Sequence, residues 1–264
     1  MTEPVQIGII GGGGWMGLAL AKAMVAAGIL PENRLLLSYR SHRPDALAGA
    51  GWVQDNQYLV ERSDILIVAV RPADFAAIDV VTRDKLVVSV MAGISLERLS
   101  RHFRTQRVVR TLPNAAAEVR KSYTPWVASS GVTAADRAML DKILQACGTA
   151  DAVSTEADID YLTGLTGSGP AFPVLLAAAM MEDAIRHGLP PDIARRSVNA
   201  VLVGTGHLIE GQGDDPREVV RRFIEYRGTT AAALEAMQAG GFETAVRDGL
   251  AAALQKARSM RDSG

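Results

Sequence analysis

Two stretches of the chain carry residue types whose spacing is chemically informative. The first is Ile7-Gly8-Ile9-Ile10-Gly11-Gly12-Gly13-Gly14-Trp15-Met16-Gly17, in which Gly12, Gly14 and Gly17 satisfy G-x-G-x-x-G. Glycine serves three purposes in that pattern: a tight turn, close backbone approach to a pyrophosphate, and packing of a helix onto a strand. Phosphates then rest on the free amides of the following helix N-terminus. The pattern therefore predicts a dinucleotide site, with Trp15 and Met16 beside it. Four consecutive glycines leave the register open by one residue. The second stretch is Leu37-Ser38-Tyr39-Arg40-Ser41. An NAD-specific site places Asp or Glu there to accept from the ribose 2′-OH, and no acid occurs before Asp45. Arg40, with the hydroxyls of Ser38 and Ser41, suits a 2′-phosphate instead. The expected cofactor is NADPH, with NADH as the second possibility.

These residues need a scaffold, and the chain supplies strand and helix in alternation. Short apolar runs occur at Val5 to Ile10, Leu35 to Tyr39, Asp64 to Val70, Leu86 to Met91 and Val108 to Leu112, with a further candidate at Tyr123 to Ala128. Runs without polar alternation fit strands covered on both faces. Helical segments between them, Met16 to Ala27 and Thr133 to Cys147 among them, predict a parallel, doubly wound sheet. Three of the strands end in turns, at Arg71-Pro72, at Met91-Ala92-Gly93 and at Pro113-Asn114. Such carboxyl edges are where open α/β sheets bind ligands.

Beyond about Ser154 the texture changes. Alanine-rich amphipathic segments follow one another at 171–187, 192–210, 216–225, 229–239 and 243–260, punctuated by glycine. They predict a helical bundle with more apolar helix than one small core can cover. The fold class is thus a Rossmann-type domain over 1–153, followed by an all-helical domain over 154–264 that either packs against a second subunit or stands as an ordinary monomeric bundle.

Composition narrows the function. The 264 residues hold 28 Lys plus Arg against 29 Asp plus Glu, and aromatics make up 5%. That balance argues against nucleic-acid binding by general electrostatics or by base stacking. Cys147 is the single cysteine, so an intrachain disulfide is impossible. The four histidines, His42, His102, His187 and His207, share no metal-ligand spacing, and no metal is expected. Neither a signal peptide nor a transmembrane helix is expected, and the default location is the cytoplasm.

The segment Leu162-Thr163-Gly164-Leu165-Thr166-Gly167-Ser168-Gly169-Pro170-Ala171-Phe172 resembles the L-x-G-L-S-G-S-G-P-A-Y signature of the pyrroline-5-carboxylate reductases. Gly188-Leu189-Pro190, Gly228-Thr229-Thr230, the glycine fingerprint, Asp64 to Pro72 and Pro113-Asn114 extend the resemblance over nearly the whole chain. It implies NADPH-linked reduction of 1-pyrroline-5-carboxylate to proline, in a homodimer with interlocked helical domains or a larger ring. By matching position it implies that Asn56, Ala69, Val70, Arg71, Pro72, Met91, Ala92 and Asn114 line the cofactor groove. It implies that Ser168, Gly228, Thr229 and Thr230 face the substrate, with Thr230 in reach of the ring nitrogen. Three departures stand out. Glu225-Tyr226-Arg227 replaces a family Ser-Pro-Gly, Ala115-Ala116 replaces Thr-Pro, and Trp15 stands where asparagine is usual.

Reduction of a C=N bond requires a hydride and a proton on nitrogen. A protonated iminium accepts hydride readily, so no strong side-chain acid is needed. Thr230 can hydrogen-bond the nitrogen and relay a proton through water, or serve as a helix cap. The amides of the Gly228–Thr230 corner suit the substrate carboxylate, and Arg227 either joins them or pairs with Glu225. Other readings are a reductase of a different cyclic imino acid and a non-catalytic NADP-binding relative. A 2-hydroxy-acid dehydrogenase is disfavoured, because no histidine stands near the helical signature.

Overall fold

The computed structural model describes residues 5–213 and 215–262. The first four residues, read above for a leader, lie outside them. Packing divides the chain into two compact units. One runs up to Ser168 and takes in the segment from Ala253 onward; the other is Gly169–Ala252. This division falls later than the change of sequence texture near residue 153.

The first unit is built on an eight-stranded sheet: β1 (Ile7–Ile10), β2 (Leu35–Ser38), β3 (Gly51–Val53), β4 (Ile65–Val68), β5 (Leu86–Ser89), β6 (Val108–Thr111), β7 (Ser122–Ala128) and β8 (Gly148–Ala152). Their order in space is β3-β2-β1-β4-β5-β6-β7-β8. The first six are mutually parallel, with the chain order reversing between β1 and β4. That reversal is the switch point at which dinucleotides bind. The expectation of a parallel sheet needs correction beyond β6. β7 runs antiparallel to β6, and β8 is parallel to β7. The connection 112–121 between β6 and β7 holds only the 3-10 turn Ala115–Val119 and is shorter than the crossover that parallel neighbours need.

The interleaved helices are α1 (Trp15–Ala26), α2 (Asn56–Glu61), α3 (Leu96–Phe103), α4 (Ala134–Gln145) and α5 (Glu156–Leu162). Strand side chains alternate between two cores. Ile7, Ile9, Leu35, Leu37, Ile65 and Ile67 pack with Leu20 and Met24 of α1 and Leu140, Ile143 and Leu144 of α4. Ile10, Leu36, Leu66, Val68 and Val87 pack with Leu59 of α2 and Leu99 and Phe103 of α3. Helices on both faces explain why the strands read as continuous apolar runs. Thr133 caps α4 through a capping box with Asp136, as its position before the apolar run anticipates.

One charged group sits inside this unit. Arg110, at the centre of β6, is 1% exposed and donates to Asp160 at 2.6 Å and to Glu156 at 3.1 Å. Arg261 closes on the other oxygen of Asp160. Glu156 also accepts the Leu96 amide at 3.0 Å, tying the start of α3 to α5. A buried cation of this kind is tolerated only while its partners are present.

The second unit is helical, with α6 (Ala171–Arg186), α7 (Pro191–Gln212), α8 (Pro216–Tyr226), α9 (Thr229–Ala239) and the first half of α10 (Phe242–Asp262). Asp215 caps α8, and its carboxyl is held at about 2 by hydrogen bonds from the Arg217 side chain and amide. Within the chain this unit buries little. No residue of α6 is buried, and Val174, Leu175, Val201 and Val203 are more than half exposed. The stretch Glu156–Arg186 is apolar enough to cross a membrane by length and composition alone, a longer apolar run than the sequence reading allowed for. Its acids are Glu156, Asp158 and Asp160 in α5 and Glu182 and Asp183 near the end of α6, which leaves the middle apolar. It is interrupted by the π-helical turn Thr163–Gly167 and the turn at Gly169–Pro170.

Removing one partner of the buried cation is expected to cost about 3–5 kcal/mol. Urea unfolding of Asp160→Ala should show this loss, and a change below about 1 kcal/mol would mean that Arg110 finds another acceptor. Burial pushes the Cys147 thiol up to about 12, with the Arg120 charge opposing it weakly. The folded thiol therefore stays neutral where an unfolded cysteine ionises above about 8.5. Its contribution to stability is present below that pH and is lost as pH rises toward the folded value. Thiol reagents at mildly alkaline pH should leave the native protein unmodified and react once it is unfolded in urea.

Candidate active site: a glycine-walled groove and a helical corner

The groove begins at the turn between β1 and α1. Gly11 takes φ +79°, and a Cβ there would lie 2.8 Å from the Ala69 carbonyl oxygen. A Cβ on Gly17 would lie 2.5 Å from the Gly11 carbonyl oxygen, so α1 sits directly against the turn. No other residue type fits either position without displacing backbone. Gly14 is the N-cap of α1, without a side-chain cap, and the first turn carries no acid. The first amides of α1 are thus free of intrahelical partners, at the positive end of the helix dipole. Ser38 secures the turn from the neighbouring strand. Its Oγ accepts the Gly11 amide at 3.0 Å and its carbonyl accepts the Gly13 amide at 2.9 Å.

A groove of about 740 Å³ opens in front of this turn, at the carboxyl ends of β1, β2 and β4. Of the sequence-predicted cofactor residues, it brings together Gly14, Trp15, Met16, Ser38, Arg40, Ser41, Asn56, Ala69, Val70 and Arg71. Gly12 and Gly17 form the turn rather than the lining. Pro72 opens the 3-10 turn Pro72–Ala77 beside the groove. Met91 is buried in the core and Ala92 packs near Leu112 and Val127. Asn114 is also outside the lining. Its Oδ1 caps the 3-10 turn by accepting the Ala116 amide at 2.9 Å, and its Nδ2 donates to the Thr166 carbonyl at 2.9 Å.

The residues of the groove suit a dinucleotide. Besides the glycine cradle, Asn56 lines the groove with its Oδ1 buried and without a hydrogen-bond partner. A buried acceptor left unpaired is costly unless a ligand donor reaches it. The sequence did not single out Tyr39, His42, Gln54 or Asp74, which also line the groove. Asp74 draws Arg71 to it, Nε to Oδ2 at 2.8 Å, and the Arg71 hydrogen bond holds its carboxyl below the usual range. Trp15 is 61% exposed, and its indole N–H donates to Glu118.

The helical corner belongs to the second unit. Gly228 at φ +91° is the N-cap of α9, so Thr229 and Thr230 are its first two residues and neither is the cap. Arg227 before it has φ +62° and ψ −175°, a backbone region that essentially only glycine visits. Glu225 is taken by Arg221, at 2.9 Å, rather than by Arg227. The Arg227 guanidinium makes no hydrogen bond among the described residues. Ser168 follows the π-helical turn, its Oγ donating to the Thr163 carbonyl at 3.3 Å.

Known proteins resemble the chain at both levels. Residues 156–260 match the profile described as pyrroline-5-carboxylate reductase dimerisation, and residues 6–93 match one described as NADP oxidoreductase, coenzyme F420-dependent. The chain is 31% identical over 265 residues to pyrroline-5-carboxylate reductase 3 of Macaca fascicularis, covering 97% of this chain and 96% of that protein. The crystal structure of a pyrroline-5-carboxylate reductase from Coxiella burnetii is 25% identical and superposes with a TM-score of 0.87, over 98% of this chain and 99% of that one. The Plasmodium falciparum pyrroline carboxylate reductase, solved with NADP bound, has the same fold at 21% identity and a TM-score of 0.86, over 99% of this chain and 100% of that one. Given this agreement along almost its whole length, the chain belongs to the pyrroline-5-carboxylate reductase family, as an oxidoreductase acting on a carbon–nitrogen bond.

Proposed function

We propose that the protein reduces 1-pyrroline-5-carboxylate to proline with NADPH. The observation that carries the proposal is the groove in front of the glycine turn, where the amino end of α1, with its free amides, meets Arg40, Ser41 and Arg71 in one lining. The amides suit the pyrophosphate. Arg40 and Ser41, just past β2, suit a ribose 2′-phosphate, whereas the Ser38 hydroxyl is already engaged by Gly11. The bound NADP of the Plasmodium relative supports the same cofactor.

When bound, the reduced nicotinamide supplies the hydride. The chain's own residues bind and orient. Thr230 hydrogen-bonds the ring nitrogen and relays its proton through solvent; the Thr229 and Thr230 amides hold the substrate carboxylate. Arg227 pairs with the same carboxylate. Its glycine-like backbone supports this role, because a non-glycine residue held there costs about 1–3 kcal/mol and persists where its side chain is needed. By function we divide the chain into a cofactor domain over 1–153 and a substrate and dimerisation domain over 154–264, of which the segments up to Ser168 and from Ala253 pack with the first unit. The exposed apolar side chains of α6 and α7 support a homodimer in which these helices interlock. The cytoplasm is the proposed location.

The direct test is NADPH oxidation with 1-pyrroline-5-carboxylate beside its six-membered homologue. Faster turnover of the five-membered ring is expected. Preference for the larger ring would reassign the substrate, and nucleotide binding without turnover of any imine would identify a non-catalytic relative. In a second experiment, Arg227→Gly should raise the KM for the imino acid about tenfold with kcat nearly kept. Its thermal midpoint should rise, as relief of the strain stabilises by about 1 kcal/mol. An unchanged KM would remove Arg227 from the site.

A further inference from the structure

The rim of the groove holds an acid, Asp74, to which the proposed reaction gives no part and which engages two arginines of the lining. Arg40 follows β2 and Arg71 follows β4, strands that flank β1 on opposite sides. Asp74, in the turn Pro72–Ala77, reaches both. Arg71 donates to it twice, from Nε at 2.8 Å and from Nη2 at 3.4 Å. Arg40 Nη1 lies 3.6 Å from Asp74 Oδ1. The two guanidinium side chains are 79% and 74% exposed and the carboxylate 32%, so the anion is the inner member of the trio. Gln54 fixes the Arg40 backbone by donating to its carbonyl at 2.9 Å.

We propose that Asp74 is an internal counter-ion that competes with a nucleotide 2′-phosphate for Arg40 and Arg71, and thereby narrows the preference for NADPH over NADH. The inference rests on the dinucleotide reading of the groove and deepens it. A 2′-phosphate beside Arg40 has two options. It takes the arginines from Asp74, giving up charge-assisted hydrogen bonds already made, or it shares them and sits near a like charge. A 2′-hydroxyl meets neither cost. It can also donate to Asp74, which then provides the acidic acceptor that NAD-binding folds place at the end of the second strand. The acid missing after β2 in sequence is supplied by the turn after β4.

The test compares dissociation constants of NADPH and NADH for the full-length protein and for Asp74→Asn and Asp74→Ser. Both substitutions lie in an exposed turn, and circular dichroism confirms their folding. The wild-type ratio should be modest. In both variants it should move toward NADPH by about three- to tenfold, an effect that shrinks as salt screens the exposed charges. A ratio that stays constant or moves toward NADH would overturn the inference, since Asp74 would then be orienting the arginines for the phosphate. Wild-type protein that binds neither nucleotide would overturn the dinucleotide reading itself, a result distinguishable from the first.

Discussion

Everything in the amino-terminal unit converges on a contact that tolerates no side chain. The Gly11 carbonyl oxygen lies only 2.5 Å from where a Cβ of Gly17 would be, and the Ala69 carbonyl oxygen 2.8 Å from where a Cβ of Gly11 would be. Three elements, β1, α1 and the end of β4, are thereby brought to backbone-to-backbone distance. Ser38 adds the end of β2, because its hydroxyl and carbonyl receive two amides of the turn. The same contact that closes the packing therefore leaves the first amides of α1 facing the groove. Fold and anion site are one construction, and a side chain added at Gly17 would damage both.

A second constraint operates at the other end of the sheet. Arg110 is enclosed in β6 and is neutralised by acids from α5, while Arg261 of α10 shares Asp160. Replacing a buried pair by apolar residues is often no less stable, so such a clasp is better understood as fixing one arrangement of elements than as a source of stability. Here it fixes α5 and the last turns of α10 against the strand whose end carries Asn114. Asn114 in turn holds the Thr166 carbonyl of the π-helical turn. The π-helical turn Thr163–Gly167 is anchored to the sheet through these two polar contacts.

What the sequence made legible follows from range. Six strands, Tyr123 to Ala128 included, and the long helices were readable because their signals, apolar runs and glycine or threonine punctuation, are local. β3 is three residues long and β8 is a mostly exposed edge strand, so neither forms an apolar run. The short α5 lay hidden beside a motif read for its glycines. The glycine turn, Arg40 and Ser41, read from sequence for a cofactor by equally local signals, come together in one groove. Asp74 was not legible, since its link to Arg40 exists only because β4 and β2 flank β1. The Arg110 clasp joins residues 50 and 101 positions apart along the chain, counted from Arg110 or Asp160. Arg227 was noticed as a departure from a glycine, but its backbone angle appears only in the structure.

The central claim is that backbone contact at the glycine turn creates the nucleotide site, and one titration tests it most directly. NADPH is titrated calorimetrically into the wild-type protein and into Gly17→Ala. The account predicts saturable binding in the wild type and a loss of at least about tenfold in the variant, since the added Cβ must push α1 off the Gly11 carbonyl. Equal affinity in the two proteins, with the variant folded, would contradict it.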